Sequence, residues 1–290
     1  MTRVSIVEYT DPICPWAWSA EPHRLKLIWT YGDGLDWEAR MVGLAEDPDV
    51  IAKRFTPEEM ARNLAIIAER FGMPIYEGAP ERMQASFPAC RAVVATRLNQ
   101  TESTYPLLRE LRKRCFSGEF VDESEVIGEA AGAVGVDPSS LASWTEDDAT
   151  EVAFVADRDA ARHPTEAALA LKGKLAEWDG GWRYTCPSYV LSTGERELTA
   201  PGYQPVETYE VAIANLASDL PRRAPAESAE EALTWAADRG EGSLATVEVA
   251  ALTGRNAAGG DRSETIEELK TAGAEEHRVG SESFWSLPEE

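Results

Sequence analysis

Strand-forming sequence in the first 220 residues occurs in two places that lie far apart. The segments RVSIVEY (3–9) and LDWEARMVGL (35–44) alternate and carry β-branched or aromatic residues, which reads as two strands. The next such pattern is Tyr189, Val190 and Leu191, followed by a TG turn and the returning strand ERELTA. Nearly everything between them has helical spacing. Thr56-Pro57-Glu58-Glu59 opens one helix with a cap residue, a proline at the first turn and two acids. Further helices are expected around a restart at Pro88, over 103–118 and 122–135, in two pieces over 137–164, and over 165–178. A helix from Trp16 to about Tyr31 links the first two strands, and one over 204–220 follows the hairpin. Two strands before a helical block and a hairpin after it predict one α/β domain interrupted by a helical one. The expected division is 1–45 with 178–220 for the α/β domain and 46–177 for the insertion.

Residues 221–231, PRRAPAESAEE, read as a linker. Beyond it, helices are expected over 228–239, 244–253 and 262–272. A polar turn, GRNAAGGD, separates the last two, and a hairpin turns near Gly280. Three helices and a hairpin outline a small winged-helix-like appendage, 221–290. From residue 220 onward there are fifteen acidic against seven basic residues, the wrong sign for a DNA reader.

The net charge of −23 over 290 residues excludes non-specific nucleic-acid binding, which needs Lys and Arg to neutralise phosphates. No apolar run is long enough to span a membrane, and the first residues turn polar too soon for a secretory signal. The chain is therefore expected in the cytoplasm, where thiols stay reduced. The four cysteines, Cys14, Cys90, Cys115 and Cys186, show no paired zinc spacing, so no metal is expected. Cys90 and Cys115 read as buried apolar residues.

Cys14 stands just before a helix, in TDPICPWAWSAEP (10–22). Unpaired N–H groups and the helix dipole stabilise a thiolate there, and Pro15 fixes φ as the helix begins. The plainer alternative is a small buried residue at a strand–helix junction. Where a dithiol site would carry a second cysteine one turn on, the chain has Ala17, so resolution needs another thiol. Trp16 reads as an aromatic at the site surface and Trp18 as core facing the sheet. Asp11 reads mainly as a turn former before Pro12, and His23 lies too far along the helix to serve Cys14.

VEYTDPICPWAWS, the late Cys-Pro in ALKGKLAEWDGGWRYTCPSYVL, and the helical insertion resemble the DsbA-like branch of the thioredoxin superfamily, and within it the cytoplasmic FrnE-type oxidoreductases. The likeness covers residues 1 to about 220. It implies a thioredoxin-like α/β fold in which Cys14 is the attacking thiol. Pro187 is then a cis-proline bordering the substrate groove, and Cys186 lies close to the attacking sulfur. Ala17 departs from the family's resolving cysteine, and Cys186 is the candidate replacement. Pro15, Trp16 and Tyr184 complete the expected substrate-binding set.

The function expected is thiol–disulfide oxidoreduction on a protein or small-molecule thiol or disulfide, with no bound cofactor. Three alternatives stay open. Cys14 could work with glutathione or another low-molecular-weight thiol. The chain could be a glutathione-dependent transferase or isomerase of related fold. It could also be a non-catalytic, partner-binding adaptor.

Overall fold

The computed structural model describes residues 3–194, 196–255 and 260–288. Strand β1 (Val4–Thr10) runs into two short-spaced helices, α1 (Pro15–Ser19) and α2 (Glu21–Tyr31), and then β2 (Leu35–Met41). The helical block holds α3 (Asp49–Ala52), α4 (Pro57–Phe71), α5 (Phe87–Asn99), α6 (Thr104–Phe116), α7 (Ser124–Ala133), α8 (Pro138–Thr145), α9 (Asp148–Ala161) and α10 (Glu166–Leu169). Strands β3 (Leu175–Trp178), β4 (Gly181–Tyr184), β5 (Ser188–Thr193) and β6 (Arg196–Ala200) follow, then α11 (Val206–Leu216). The last part is α12 (Ala229–Asp238), β7 (Leu244–Ala245), α13 (Thr246–Leu252), α14 (Ser263–Thr271), β8 (Glu275–Val279) and β9 (Glu282–Ser286).

The main sheet has the order β2-β1-β5-β6. β1 pairs parallel with β2, from Val4↔Leu35 to Thr10↔Met41. On its other edge β1 meets β5 antiparallel, ending at Tyr9↔Ser188. This register matters for chemistry. The C-terminal end of β1 and the N-terminal start of β5 lie at the same end of the sheet. Residues just past Thr10 and just before Ser188 are thereby brought together across 172 positions of sequence.

One face of the sheet packs on α2 and α11 through Leu27, Tyr209, Ile213 and Leu216. The helical block has its own core around α5, whose Ala89, Cys90, Ala92, Val93 and Val94 are wholly buried, and it reaches the sheet at Ala39 and Met41. Helix α4 begins as the sequence indicates: Thr56 accepts from the Glu59 N–H at 3.3 Å and Glu59 returns the bond to the Thr56 N–H at 2.9 Å.

Three expectations need correction. The helix expected from Trp16 onward is broken at Ala20, which caps α2 ahead of Pro22 at the second helical position. The helix expected over 165–178 stops after one turn. Its last four residues are strand β3, paired with β4 around Gly180 and Gly181, whose φ values of 127° and 134° suit a residue without a side chain. The linker-like segment is pinned rather than free: Trp29 Nε1 donates to the Ala224 carbonyl at 2.7 Å, and the Arg223 guanidinium lies 3.5 Å over the Trp29 ring. The polar turn over 254–261 falls partly outside the described residues.

The C-terminal part forms a three-stranded sheet, β7-β9-β8, against three helices. It is fastened to the rest by a buried ionic network. Arg109 on α6 is bidentate to Glu248 at 2.6 and 2.7 Å and donates to the backbone carbonyls of Glu241 and Ser243, both at 2.9 Å. Arg24 on α2 is bidentate to Glu241 and also bonds Glu21. Arg112 joins Glu21 to Thr10 and Glu8 on β1. Burial by itself would raise the Glu21 carboxyl, but Arg24, Arg112 and Arg109 hold it down at about 2.

A buried charge stripped of its partner is costly. Arg109→Met, which orphans Glu248, is expected to destabilise the protein by about 3–5 kcal/mol, read as a lower urea midpoint. Adding Glu248→Leu to that variant should restore part of the loss, because no unpaired charge then remains at that position.

Candidate active site

Cys14 is the N-cap of α1, with extended backbone (φ −83°, ψ 113°) and Pro15 at the first helical position. Its thiol donates to the Cys186 carbonyl at 3.5 Å, and both residues are 6% exposed. All four cysteines are free thiols. The peptide between Cys186 and Pro187 is cis, and Pro187 is buried at the start of β5.

The two thiols are driven apart in acidity. A hydrogen bond from the Cys186 thiol is the largest influence on Cys14 and lowers its pKa. Burial opposes this, the Ala17 and Trp16 N–H groups reinforce it, and the Asp11 charge opposes it; the net direction is down. Cys186 goes the other way, pushed well up by burial first and then by its bond to Cys14 and the charge there. The arrangement therefore contains one thiol biased toward thiolate and a second, beside it, biased toward its protonated form.

Asp11 does more than turn the chain. Its carboxylate is fully buried and accepts from the Ile13 N–H at 3.1 Å, the Leu44 N–H at 2.8 Å, the Ser86 hydroxyl at 3.0 Å and the Cys90 thiol at 3.5 Å. It ties the loop before Cys14 to the loop after β2 and to the start of α5. Burial nevertheless raises its pKa. Its charge acts on every cysteine in the chain, raising each one. Cys90 and Cys115 are held far above the thiolate range, by burial above all.

Trp16 is 40% exposed, beside the thiol. Trp18 is core but faces away from the sheet, stacked on Phe116 at 5.9 Å and touching Phe284 of the C-terminal part at 6.0 Å, with Nε1 donating to the Pro74 carbonyl. Tyr184, expected to touch substrate, is 1% exposed. It stacks on Tyr9 at 4.3 Å and its hydroxyl accepts from the Thr165 N–H, so it supports the site from beneath instead of facing it. Two residues that the sequence did not single out stand with Trp16: Phe71 at the end of α4 and Tyr203 in the loop after β6. A Phe before the terminal glycine of α4 and a lone Tyr in PGYQP carry no pattern that would mark them. Among the described residues, no group of three or more His, Cys, Asp and Glu is arranged to hold a metal ion.

The sheet order, the cis-proline loop and the thiol at the start of α1 define a thioredoxin-like scaffold. The profile of the DSBA-like thioredoxin domain matches residues 5–164, more than half of the chain, which belongs to that family. Solved structures agree on the fold. A probable DsbA oxidoreductase from Streptomyces coelicolor superposes with a TM-score of 0.54 at 17% identity, covering 78% of this chain and 93% of its own. The cytosolic disulfide reductase DsbM from Pseudomonas aeruginosa gives 0.51 at 15% identity, covering 71% and 91%. No curated protein sequence matches the chain.

His23 stays outside the thiol site but adjoins its rim. It lies 5.3 Å from the Tyr203 ring and 6.3 Å from Tyr209, its Nδ1 has no partner, and burial lowers its pKa to about 4, with Glu207 raising and Lys26 lowering it further. The folded value lies below the ordinary 6.5, so the unfolded chain binds the proton first as pH falls. Stability from this group is full above pH 6.5 and declines toward pH 4, by up to about 3 kcal/mol. His23→Gln should flatten that part of the urea-midpoint profile against pH.

A second expectation concerns acidity. Cys186→Ala removes the donor that most lowers Cys14, so the pH midpoint of Cys14 alkylation by iodoacetamide should move up.

Proposed function

We propose that the chain is a thiol–disulfide oxidoreductase that uses Cys14 as nucleophile and Cys186 as resolving thiol. The observation that carries this reading is the approach of the Cys14 thiol to the Cys186 backbone carbonyl at 3.5 Å, with the acidities of the two thiols displaced in opposite directions. Membership of the DSBA-like family supports it.

The Cys14 thiolate attacks one sulfur of a substrate disulfide. A Cys14–substrate mixed disulfide forms and the other substrate thiolate leaves. Cys186 then loses its proton to a leaving thiolate and attacks the Cys14 sulfur. A Cys14–Cys186 disulfide forms, the second substrate thiol is released, and the substrate has gained two electrons. An external thiol, of low molecular weight or on a protein, returns the pair to the reduced form. With the reactants exchanged, the same steps run as an oxidation. Pro187 and Trp16 border the entrance and Pro15 shapes the turn beneath it.

The compartment that suits a free dithiol pair is the cytoplasm. No helix among the described residues is long and apolar enough to cross a membrane, and the cytosolic disulfide reductase from Pseudomonas aeruginosa shares the fold.

The test is mass-resolved alkylation of the purified protein before and after mild oxidation. Cys14 and Cys186 should lose reactivity together and regain it with reductant, while Cys90 and Cys115 stay unchanged. Cys14→Ser should abolish disulfide turnover, and Cys186→Ser should accumulate the mixed disulfide on Cys14. Turnover that survives Cys14→Ser, or a Cys14 that never pairs with Cys186, would refute the pairing.

A further inference from the structure

Three aromatic rings from three separate elements meet beside the thiol pair. Trp16 comes from α1, Phe71 from the end of α4 and Tyr203 from the loop between β6 and α11. Ring centroids lie 5.5 Å apart for Trp16 and Phe71, 6.1 Å for Trp16 and Tyr203, and 4.8 Å for Phe71 and Tyr203. Two of its members are tied by their backbone to the loops that carry the thiols. The Trp16 backbone N–H acts on the Cys14 thiol. Tyr203 follows Gly202, whose N–H donates at 2.9 Å to the Ser188 hydroxyl, next to Pro187. Phe71 is buried beneath the other two rings, while Trp16 keeps 40% of its surface open.

A positive charge lies against the rings. Arg70 lies 5.1 Å over the Phe71 ring and its charge reaches Tyr203. Arg183, three residues before Cys186, lowers that thiol, its guanidinium donating to the Tyr184 carbonyl at 2.8 Å. Among the described residues neither guanidinium has a carboxylate within ion-pair distance, although the chain carries 51 acidic residues. An open ring beside the Arg70 guanidinium suits a flat, anionic ligand, which stacks on the ring and pairs with a fork of N–H donors.

We propose that this mouth is a specificity subsite for low-molecular-weight disulfides whose arms carry an aromatic ring and a carboxylate. The inference deepens the oxidoreductase reading and rests on it. The ring of the arm lies on Trp16 with its carboxylate toward Arg70, which sets the disulfide against Cys14. Attack forms a Cys14–S–S–aryl bond, breaks the aryl–S–S–aryl bond and releases one aryl thiolate, with no other reactant. A small arm fits better than a folded protein, because Cys14 is only 6% exposed.

The test compares four disulfides on the full chain: dithiobis-nitrobenzoate (aromatic, anionic), dithiodipyridine (aromatic, neutral), dithiodiglycolate (aliphatic, anionic) and hydroxyethyl disulfide (aliphatic, neutral). Each initial rate at Cys14 is divided by the rate of the same reagent with N-acetylcysteine at the same pH, which cancels leaving-group reactivity. The aromatic anion should be preferred about tenfold over its aliphatic counterpart and about threefold over the neutral aromatic at low salt. Trp16→Leu, which keeps apolar bulk, should remove the first preference. Arg70→Gln, at an exposed position, should remove the second. Equal normalised rates for all four, or preferences unchanged in both variants, would overturn the subsite and leave the oxidoreductase reading standing. A cystine peptide carrying Phe and Asp that outpaces the aryl disulfide after the same normalisation would overturn the choice of a small substrate. No reaction at Cys14 with any reagent would bring down the oxidoreductase reading itself.

Discussion

The arrangement around Cys14 depends on three buried arginines. Arg24, Arg109 and Arg112 stand between the strand that leads to the thiol, the helix that follows it and the C-terminal part, with Glu8, Glu21, Glu241 and Glu248 as counter-charges. Each of these side chains is almost fully enclosed. In so dry a setting the charges must be matched or the structure opens. The network is therefore less a source of net stability than a link that ties helix α2, helix α6 and the loop before β7 together. Trp18 extends the same junction in apolar form, pressed between Phe116 and Phe284.

A second constraint acts at the thiol itself. Asp11 is needed for its four hydrogen bonds, which join two loops and the start of α5, yet its negative charge is unfavourable to a thiolate nearby. Cys14 is lowered all the same, because the Cys186 thiol and the first N–H groups of α1 all donate toward its sulfur. The site thus balances a structural anion against a functional one. Cys90 and Cys115 have no comparable set of donors and remain far from ionisation.

Much of the scaffold was legible in the sequence because its signals are local. The alternation in 3–9 gives β1, the Thr56-Pro57 cap gives the start of α4, and the TG turn gives the hairpin of β5 and β6. The segment 165–178 misled because Leu, Ala and Lys at helical spacing favour a helix, whereas the twin glycines at 180 and 181 commit the chain to a hairpin. At the site, Cys14, Trp16, Cys186 and Pro187 could be named from motif and resemblance. Tyr184 could be named but not oriented, since nothing in its neighbours says that Tyr9 lies beneath it. Phe71, Tyr203, the partners of Asp11 and the buried arginines were not readable. Their roles come from elements joined only by the fold, and a buried Arg is indistinguishable in sequence from a solvated one.

The separation of the two thiols has a kinetic consequence. Two cysteines one turn apart on a helix close their disulfide along the helix and leave the neighbouring loop untouched. Cys14 and Cys186 stand on opposite banks, one at the start of α1 and the other on the loop that carries Pro187. On the proposed chemistry, their bond spans the cleft that a substrate enters. The oxidised protein then has no thiolate to offer a second disulfide until a thiol has reopened that bond, and the disulfide it forms expels the product it has just made. The two half-reactions must alternate strictly, each reactant meeting the protein only after the other has gone.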